Sequence, residues 1–164
     1  MALLVSCTNR RTDQEGEMVM ITLYHFCCER DMRGIRTDGI TKGAVVGHHL
    51  INAGTWKERA QYDIIHGWQW LTYAGNHDRQ SWATKKLIRY DRREYRFTVE
   101  IPEKEAGQLY DRDRLDEYIP GSAALFDGWD GSENWVVYRG SISKYKLKKL
   151  EHWTGSGWEE VKLK

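Results

Sequence analysis

The chain contains six histidines, and because histidine is the commonest metal ligand in proteins, metal binding is the first chemistry to consider. His48 and His49 are adjacent, and adjacent side chains on a strand point to opposite faces, so they do not make a bidentate pair. The sequence has no H-E-x-x-H motif and no spacing typical of two histidines with one carboxylate. We therefore predict no metal site.

The cysteines and the glycine-rich turns do not indicate a familiar catalytic or phosphate-binding motif. Cys27 and Cys28 lie in an apolar run that is typical of a buried strand, where a thiol is unreactive. The chain contains no G-x-S-x-G nucleophile turn, no G-x-G-x-x-G turn and no P-loop. Recognition of a phosphate would need another arrangement of residues.

Three separate segments remain as candidates for one site. His25 lies inside a strand-like run, the apolar run WQWLT spans Trp68–Thr72, and Glu133 stands just before the apolar run NWVVY. A glycine-rich turn would deliver that carboxylate to the edge of a buried strand. A lone acid in such a turn is more often solvated, and a lone strand histidine is more often structural. The functional interpretation depends on their combination.

A sheet must position these segments, because strand-like runs outnumber helix-like runs. The clearest strand is Glu94–Ile101, in which apolar and polar residues alternate until Pro102 removes a ladder donor. Further strands are predicted at Ile21–Cys27, Trp68–Thr72 and 134–140, and a terminal hairpin at 142–153 and 158–163. Helices are predicted at Glu29–Thr37, Arg79–Lys86 and Leu109–Ile119. Residues 41–66 are predicted to form a connection with little regular structure. The expected fold class is α+β, with curved, split antiparallel β-sheets and short flanking helices.

Length, charge and cysteine content limit the kind of protein. At 164 residues the chain is predicted to form one domain, residues 20–164, after a disordered lead-in at residues 1–19, of which residues 8–19 are polar and aperiodic. The 25 basic and 24 acidic residues give a net charge of +1, so no overall field draws the protein to nucleic acid or membranes. An odd number of cysteines and the lack of a run of about 20 apolar residues favour a reduced, cytoplasmic protein with no membrane partner.

The three candidate segments together resemble the ADP-ribosyltransferase superfamily, over roughly residues 20–150. The run LYHFCCERDMRGIRTDGI resembles its opening motif, a Leu-Tyr-His strand leading through a short helix to Ile-x-x-x-Gly-Leu. WLT with the later SWATK is similar to its second motif. SENWVVYRGSI is similar to the closing motif of the bacterial DNA-modifying members, which suggests a bacterial or phage branch. The matching positions are Leu23, Tyr24, His25, Ile35, Gly39, Ile40, Glu133, Val136, Val137, Gly140 and Ile142.

The resemblance implies that NAD is the substrate and that the bond between nicotinamide and ribose is broken. Glu133 would be the catalytic residue, stabilising the positive charge that develops on the ribose and helping to deprotonate the acceptor. His25 would hydrogen-bond a ribose hydroxyl on the adenosine side and fix the position of NAD. Backbone groups at Tyr24 and Phe26 would bind the nicotinamide amide.

Other residues would complete the implied NAD site. The second motif would place an aromatic ring against nicotinamide, and Trp70 or Tyr73, beside Thr72, would serve. Arg36 or Lys42 would contact the pyrophosphate. These assignments rest on the resemblance alone.

The sequence leaves the acceptor and the activity open. A nucleic-acid acceptor would suit the basic stretches, which are equally typical of solvated strand edges, and a protein acceptor or water would also serve. These stretches are Lys85-Lys86, Arg89, Arg92-Arg93 and Lys144–Lys149. RNA 2′-phosphotransferases share the implied fold and also use NAD, but with an Arg-His-Arg-type set in place of a glutamate. A catalytically inactive nucleotide-binding or interaction module on the same fold is the other alternative.

Overall fold

The computed structural model describes residues 18–46, 64–76, 92–127 and 129–163. The lead-in at 1–19 and the 41–66 connection therefore fall partly outside the described residues, and the predicted helix Arg79–Lys86 falls wholly outside them. In the described ranges, no helix combines the length and the apolar character needed to cross a membrane.

Nine strands and two α-helices form in the described ranges. Helix α1 spans Glu29–Asp38 and helix α2 spans Arg112–Tyr118. The strands are β1 (Met20–Cys27), β2 (Ala44–Val46), β3 (Ile64–His66), β4 (Trp68–Thr72), β5 (Tyr95–Pro102), β6 (Leu109–Tyr110), β7 (Trp135–Arg139), β8 (Leu147–Trp153) and β9 (Trp158–Val161). Short 3-10 helices occupy Glu103–Gln108, Ser122–Leu125, Ser132–Asn134 and Lys144–Lys146.

Seven strands form one sheet in the order β6-β7-β4-β1-β5-β8-β9, and β2 and β3 form a separate pair. Each neighbouring pair is antiparallel. The alternation in β5 fixes which face meets the core, because Phe97, Val99 and Ile101 are all fully buried. The structure is therefore mixed, with a mostly antiparallel sheet and few helices, which confirms the α+β expectation at that level.

The sheet opens between β1 and β4. β1 pairs with β5 over all eight of its residues, but within the described residues it pairs with β4 only where Tyr24 faces Thr72. On its other side, β4 pairs with β7 along its whole length. β1 and β4 therefore diverge from a single point of contact, which leaves a space that a continuous ladder would close.

Two clusters of buried side chains cover the two faces of the sheet. Alternate residues of β7 divide between them, because successive strand side chains point to opposite faces. Val136 and Tyr138 join the cluster beneath α1, and Trp135 and Val137 join the cluster beneath α2. Fully burying an apolar side chain of this size contributes roughly 1.5–3 kcal/mol. Both faces of β4 and β7 are thus fixed by packing.

A glycine ends α1 and brings two distant segments together. Gly39 has φ +84°, and its N–H donates to the Ile35 carbonyl at 2.8 Å. A Cβ at Gly39 would lie 2.1 Å from the Ile142 carbonyl oxygen, so no other residue fits here. Ile40 and Ile142 then form an antiparallel bridge with two hydrogen bonds of 2.9 Å.

Two predictions of secondary structure are wrong in detail. The helix predicted at Leu109–Ile119 is shorter, because its first two residues pair with β7 as strand β6. Helix α2 begins after Asp111, whose carboxylate caps it by accepting a hydrogen bond from the Arg114 N–H at 2.9 Å. The 41–66 connection contains the paired strands β2 and β3. The terminal hairpin is confirmed as β8 and β9.

Candidate functional site

A cavity of about 850 Å³ lies at the opening between β1 and β4. Residues 24–27 of β1 and 69–72 of β4 line it, together with one side of α1 and residues 39–44. Ligand pockets commonly enclose roughly 300–1,000 Å³, so the cavity is large enough for a nucleotide-sized ligand.

His25 is held in one tautomer at this opening. Its Nδ1 lies 2.9 Å from the main-chain oxygen of Trp70, and because a carbonyl only accepts, Nδ1 carries the proton and donates it. Burial lowers the pKa of His25 from its ordinary 6.5, the bond to Trp70 opposes that effect, and the charge of Arg92 adds to it. His25 is therefore neutral at pH 7, with Nε2 ready to accept a hydrogen bond from a ligand hydroxyl.

Three indoles line the cavity on the side of β4 and β7, and we call Trp70, Trp129 and Trp135 the indole wall. The rings of Trp70 and Trp135 meet edge to face, with centroids 6.0 Å apart. The Trp70 Nε1 donates to the Ala44 carbonyl at 2.9 Å, which fixes the ring. Phe126 packs behind Trp70 with centroids 5.4 Å apart. A rigid indole surface of this kind favours stacking with a flat ring.

A buried glutamine holds residues 39–44 against the sheet. Gln69 has no solvent exposure, its Oε1 accepts from the Gly43 N–H at 2.8 Å, and its Nε2 donates to the Gly140 carbonyl at 3.0 Å. A Cβ on Gly43 would lie 2.1 Å from the Trp68 carbonyl oxygen, so the chain approaches β4 as closely as glycine allows. Gln69 therefore links one side of the cavity to the end of β7.

Charged side chains line the side of the cavity next to α1. Three cations and two carboxylates give this lining a net charge of +1: Arg30, Lys42, Arg92, Asp31 and Asp38. The Arg30 Nε donates to the Asp31 Oδ1 at 3.0 Å. Burial would raise the pKa of Asp31, but hydrogen bonds from Arg30 and Cys28 outweigh it and hold the pKa below its ordinary value. Lys42 forms no ion pair with any described residue.

Five residues predicted from the sequence as NAD-binding line this one cavity: His25, Tyr24, Phe26, Trp70 and Thr72. The side chains of Tyr24 and Phe26 point away from the face that His25 occupies, as alternation along a strand requires. The Tyr24 ring lies under the guanidinium of Arg96, and the Phe26 ring contacts Trp158. Tyr24 and Phe26 nevertheless both line the cavity.

Three predicted site residues do not line the cavity. Glu133 is exposed on the 3-10 turn before β7, where the Asn134 Nδ2 donates to its Oε1 at a long 3.3 Å. Trp135, two residues on, does line the cavity. Tyr73 is 49 % exposed. Arg36 is half-buried, with Nη1 4.0 Å from the Met32 sulfur.

The potential metal ligands and the two thiols at the end of β1 have the following positions. No group of three or more His, Cys, Asp or Glu side chains clusters there, while His48 and His49 lie outside the described ranges. Cys27 and Cys28 are free thiols with 2 % and 1 % exposure. Burial raises the pKa of Cys27, so it stays protonated at neutral pH.

The basic stretch Lys144–Lys149 is largely neutralised by neighbouring carboxylates. Lys146 binds Glu105, and the Lys149 Nζ lies 2.8 Å from Glu151. Lys148 lies 4.0 Å from Glu100. The basic residues at 85, 86 and 89 lie outside the described ranges. The stretch Lys144–Lys149 thus resembles a solvated strand edge more than a phosphate-binding surface, whereas Arg92, from another of the basic stretches, lines the cavity.

Several residues that line the cavity are not among the site residues predicted from the sequence, and three of them are Gln69, Arg92 and Trp129. Gln69 could have been identified from the sequence, since it is the polar residue inside the apolar run WQWLT and a buried polar side chain needs hydrogen-bond partners. Arg92 and Trp129 could not, because their place in the cavity depends on chain paths far from His25. No protein-family model, curated protein or solved structure matches this chain.

Proposed function

We propose that the protein is an NAD-dependent mono-ADP-ribosyltransferase with the corresponding fold, or an NAD glycohydrolase where water accepts the ADP-ribose. One observation carries the proposal. The three strands that bear the resemblance, β1, β4 and β7, are neighbours in the sheet, and the cavity lies where the first two diverge. Tyr24, Thr72 and Trp135 stand in one row across them.

A second contact between the motifs supports the proposal. The glycine and isoleucine that end the opening motif meet the isoleucine of the closing motif in the Ile40–Ile142 bridge. The main chain at Gly39 packs directly against the same segment, since a Cβ there would lie 2.1 Å from the Ile142 carbonyl oxygen. The fold thus brings the opening and closing motifs, more than 100 positions apart in the sequence, into direct contact, as one shared site requires.

The chemistry of the cavity suits NAD. An indole wall favours flat rings, the neutral Nε2 of His25 accepts from a hydroxyl, and a net positive lining favours phosphates. A dinucleotide carries all three kinds of group. These properties are independent of the resemblance and point to the same ligand class.

In the proposed reaction the bond between the ribose C1′ and the nicotinamide nitrogen breaks, and its electron pair leaves with neutral nicotinamide. Positive charge grows on the ribose, and the Glu133 carboxylate stabilises it. The acceptor then bonds to C1′ and gives its proton to Glu133. His25 orients the adenosine ribose. Glu133 must turn inward from its exposed position, and its contact with Asn134, at 3.3 Å, is weak enough to allow this.

Nicotinamide release from NAD tests the proposal directly. Wild type should release nicotinamide, and Glu133→Gln should lower the rate roughly 10²–10³-fold by removing the charge. His25→Ala should raise the KM, because it removes a positioning contact. The matched control is Glu117→Gln, an exposed carboxylate on α2, which should behave as wild type. Equal slow turnover in all four proteins would overturn the proposal.

One observation favours a second candidate, an RNA 2′-phosphotransferase-like enzyme. Arg30, His25 and Arg92 line the cavity whereas Glu133 does not, and the resemblance gives that enzyme an Arg-His-Arg-type set. A 2′-phosphorylated RNA offered with NAD separates the two. If Arg92→Gln abolishes loss of the 2′-phosphate while Glu133→Gln keeps it, the second candidate is correct. Nicotinamide release that depends on Glu133 supports the first.

A further inference from the structure

Gly34 lines the cavity, and the fold gives no reason for a glycine at this position. It lies in the middle of α1, where glycine weakens a helix by roughly 1 kcal/mol relative to alanine. Its φ is not in the left-handed region, and a Cβ built on it would meet no atom within 4 Å. Neither backbone conformation nor packing therefore requires glycine here, in contrast to Gly39 and Gly43.

The position of Gly34 connects it to the charged lining. It lies one turn after Arg30 and one turn before Asp38, and all three line the cavity. Lys42 and Arg92 also line it, and the charge of Arg92 reaches both His25 and Asp31. The open space at Gly34 is thus flanked along the helix by Arg30 and Asp38 and lies in a lining of net positive charge.

We infer that Gly34 leaves open a channel along α1 that takes the diphosphate of the bound dinucleotide, with Lys42 as one of its cationic partners. This inference rests on the proposed function. Of the two residues that the resemblance implies for the pyrophosphate contact, it keeps Lys42, which lines the cavity, and not Arg36, which does not. A ligand that passes close to the helix main chain needs the space that a side chain at position 34 would fill. Asp31 does not repel it strongly, because Arg30 is hydrogen-bonded to that carboxylate.

The test is the affinity of the full chain for ADP-ribose, measured by titration calorimetry, with thermal unfolding as the check on folding. Gly34→Ala should raise the Tm by roughly 2–4 °C. Gly34→Leu should fold as well as wild type, since nothing lies near its Cβ, and should weaken ADP-ribose binding at least tenfold. The control is Gly107→Leu, at a glycine outside the cavity whose Cβ also meets nothing within 4 Å, and its affinity should be unchanged.

A variant that removes the charge of Lys42 tests whether this residue contacts the diphosphate. Lys42→Gln should weaken ADP-ribose binding roughly three- to tenfold and leave adenosine binding unchanged, because adenosine carries no phosphate. Wild-type affinity for ADP-ribose in Gly34→Leu, or in Lys42→Gln, would overturn the inference while the proposed function stands. A wild-type protein that binds no ADP-ribose would overturn both.

Discussion

Replacing Gln69 with leucine should lower the free energy of unfolding by about 2–3 kcal/mol. The side chain is fully buried and satisfies two main-chain groups, the Gly43 N–H at 2.8 Å and the Gly140 carbonyl at 3.0 Å. Leucine has a similar volume but no polar atom, so both groups lose this partner. A buried group left unsatisfied costs about 1–3 kcal/mol, and both glycines are half-buried, which places each loss at about 1–1.5 kcal/mol, the low end of that range.

Thermal unfolding followed by circular dichroism measures this loss. For a chain of this length the Tm should fall by roughly 4–12 °C. Gln108→Leu is the matched control, because Gln108 is exposed and should change the Tm very little. A Tm for Gln69→Leu within 1–2 °C of wild type, as a rough bound from the same scaling, would refute the claim that this amide fixes residues 39–44.

Gln69→Glu extends the prediction to pH. One carboxylate oxygen still accepts from Gly43, but the other faces the Gly140 carbonyl and repels it unless protonated. The pKa of this glutamate should therefore be raised in the folded state. A group with a raised pKa contributes stability at low pH that is lost as the pH rises through the folded pKa. The Tm deficit relative to wild type should be larger at pH 8 than at pH 5, and an equal deficit would refute the geometry.

Three further variants test the fold around the cavity. Gly39→Ala should cost at least about 2 kcal/mol, because φ is +84° and the new Cβ would lie 2.1 Å from the Ile142 oxygen. Arg96→Met should cost about 2 kcal/mol, because it removes the guanidinium 2.5 Å from buried Glu151 and leaves Lys149, at 2.8 Å, as the remaining cationic partner. The stability of wild type should fall relative to His25→Gln as the pH drops below 6.5, by up to about 1.4 kcal/mol per pH unit. The unfolded state takes up a proton that His25, half-buried in the fold and with a lowered pKa, resists.

Chemical denaturation measures the free energy of unfolding of all three variants, and a different result would contradict each prediction. A Gly39→Ala protein as stable as wild type would mean that α1 does not end in this conformation. Arg112→Met is the control for Arg96, because Arg112 pairs with an exposed partner and its loss should be unmeasurable. Equal losses at the two arginines would contradict the buried pair. Parallel pH profiles for wild type and His25→Gln would show that His25 titrates normally.

The parts of the fold set by local pattern could be predicted from the sequence. Alternation in Glu94–Ile101 predicts β5 and its buried face, and the apolar spacing of Met32 and Ile35 predicts α1. The helix predicted at Leu109–Ile119 fails at its start because Leu109 and Tyr110 pair with β7, a long-range contact that no local pattern contains.

The candidate site divides in the same way. His25 could be identified in the sequence because its motif lies within one continuous segment. The position of Arg92 near His25 depends on chain paths that neither segment shows by itself. Glu133 is identified through the resemblance alone, and its orientation depends on the turn before β7, where its carboxylate is exposed to water.

A crystal structure of the Glu133→Gln protein with NAD tests the central claim most directly, because slow turnover would keep NAD intact. We predict that NAD occupies the cavity between β1 and β4, with a ribose hydroxyl roughly 2.6–3.2 Å from the His25 Nε2 and a flat ring against the indole wall. NAD bound elsewhere, or bound with the His25 Nε2 facing no ligand atom, would contradict the account.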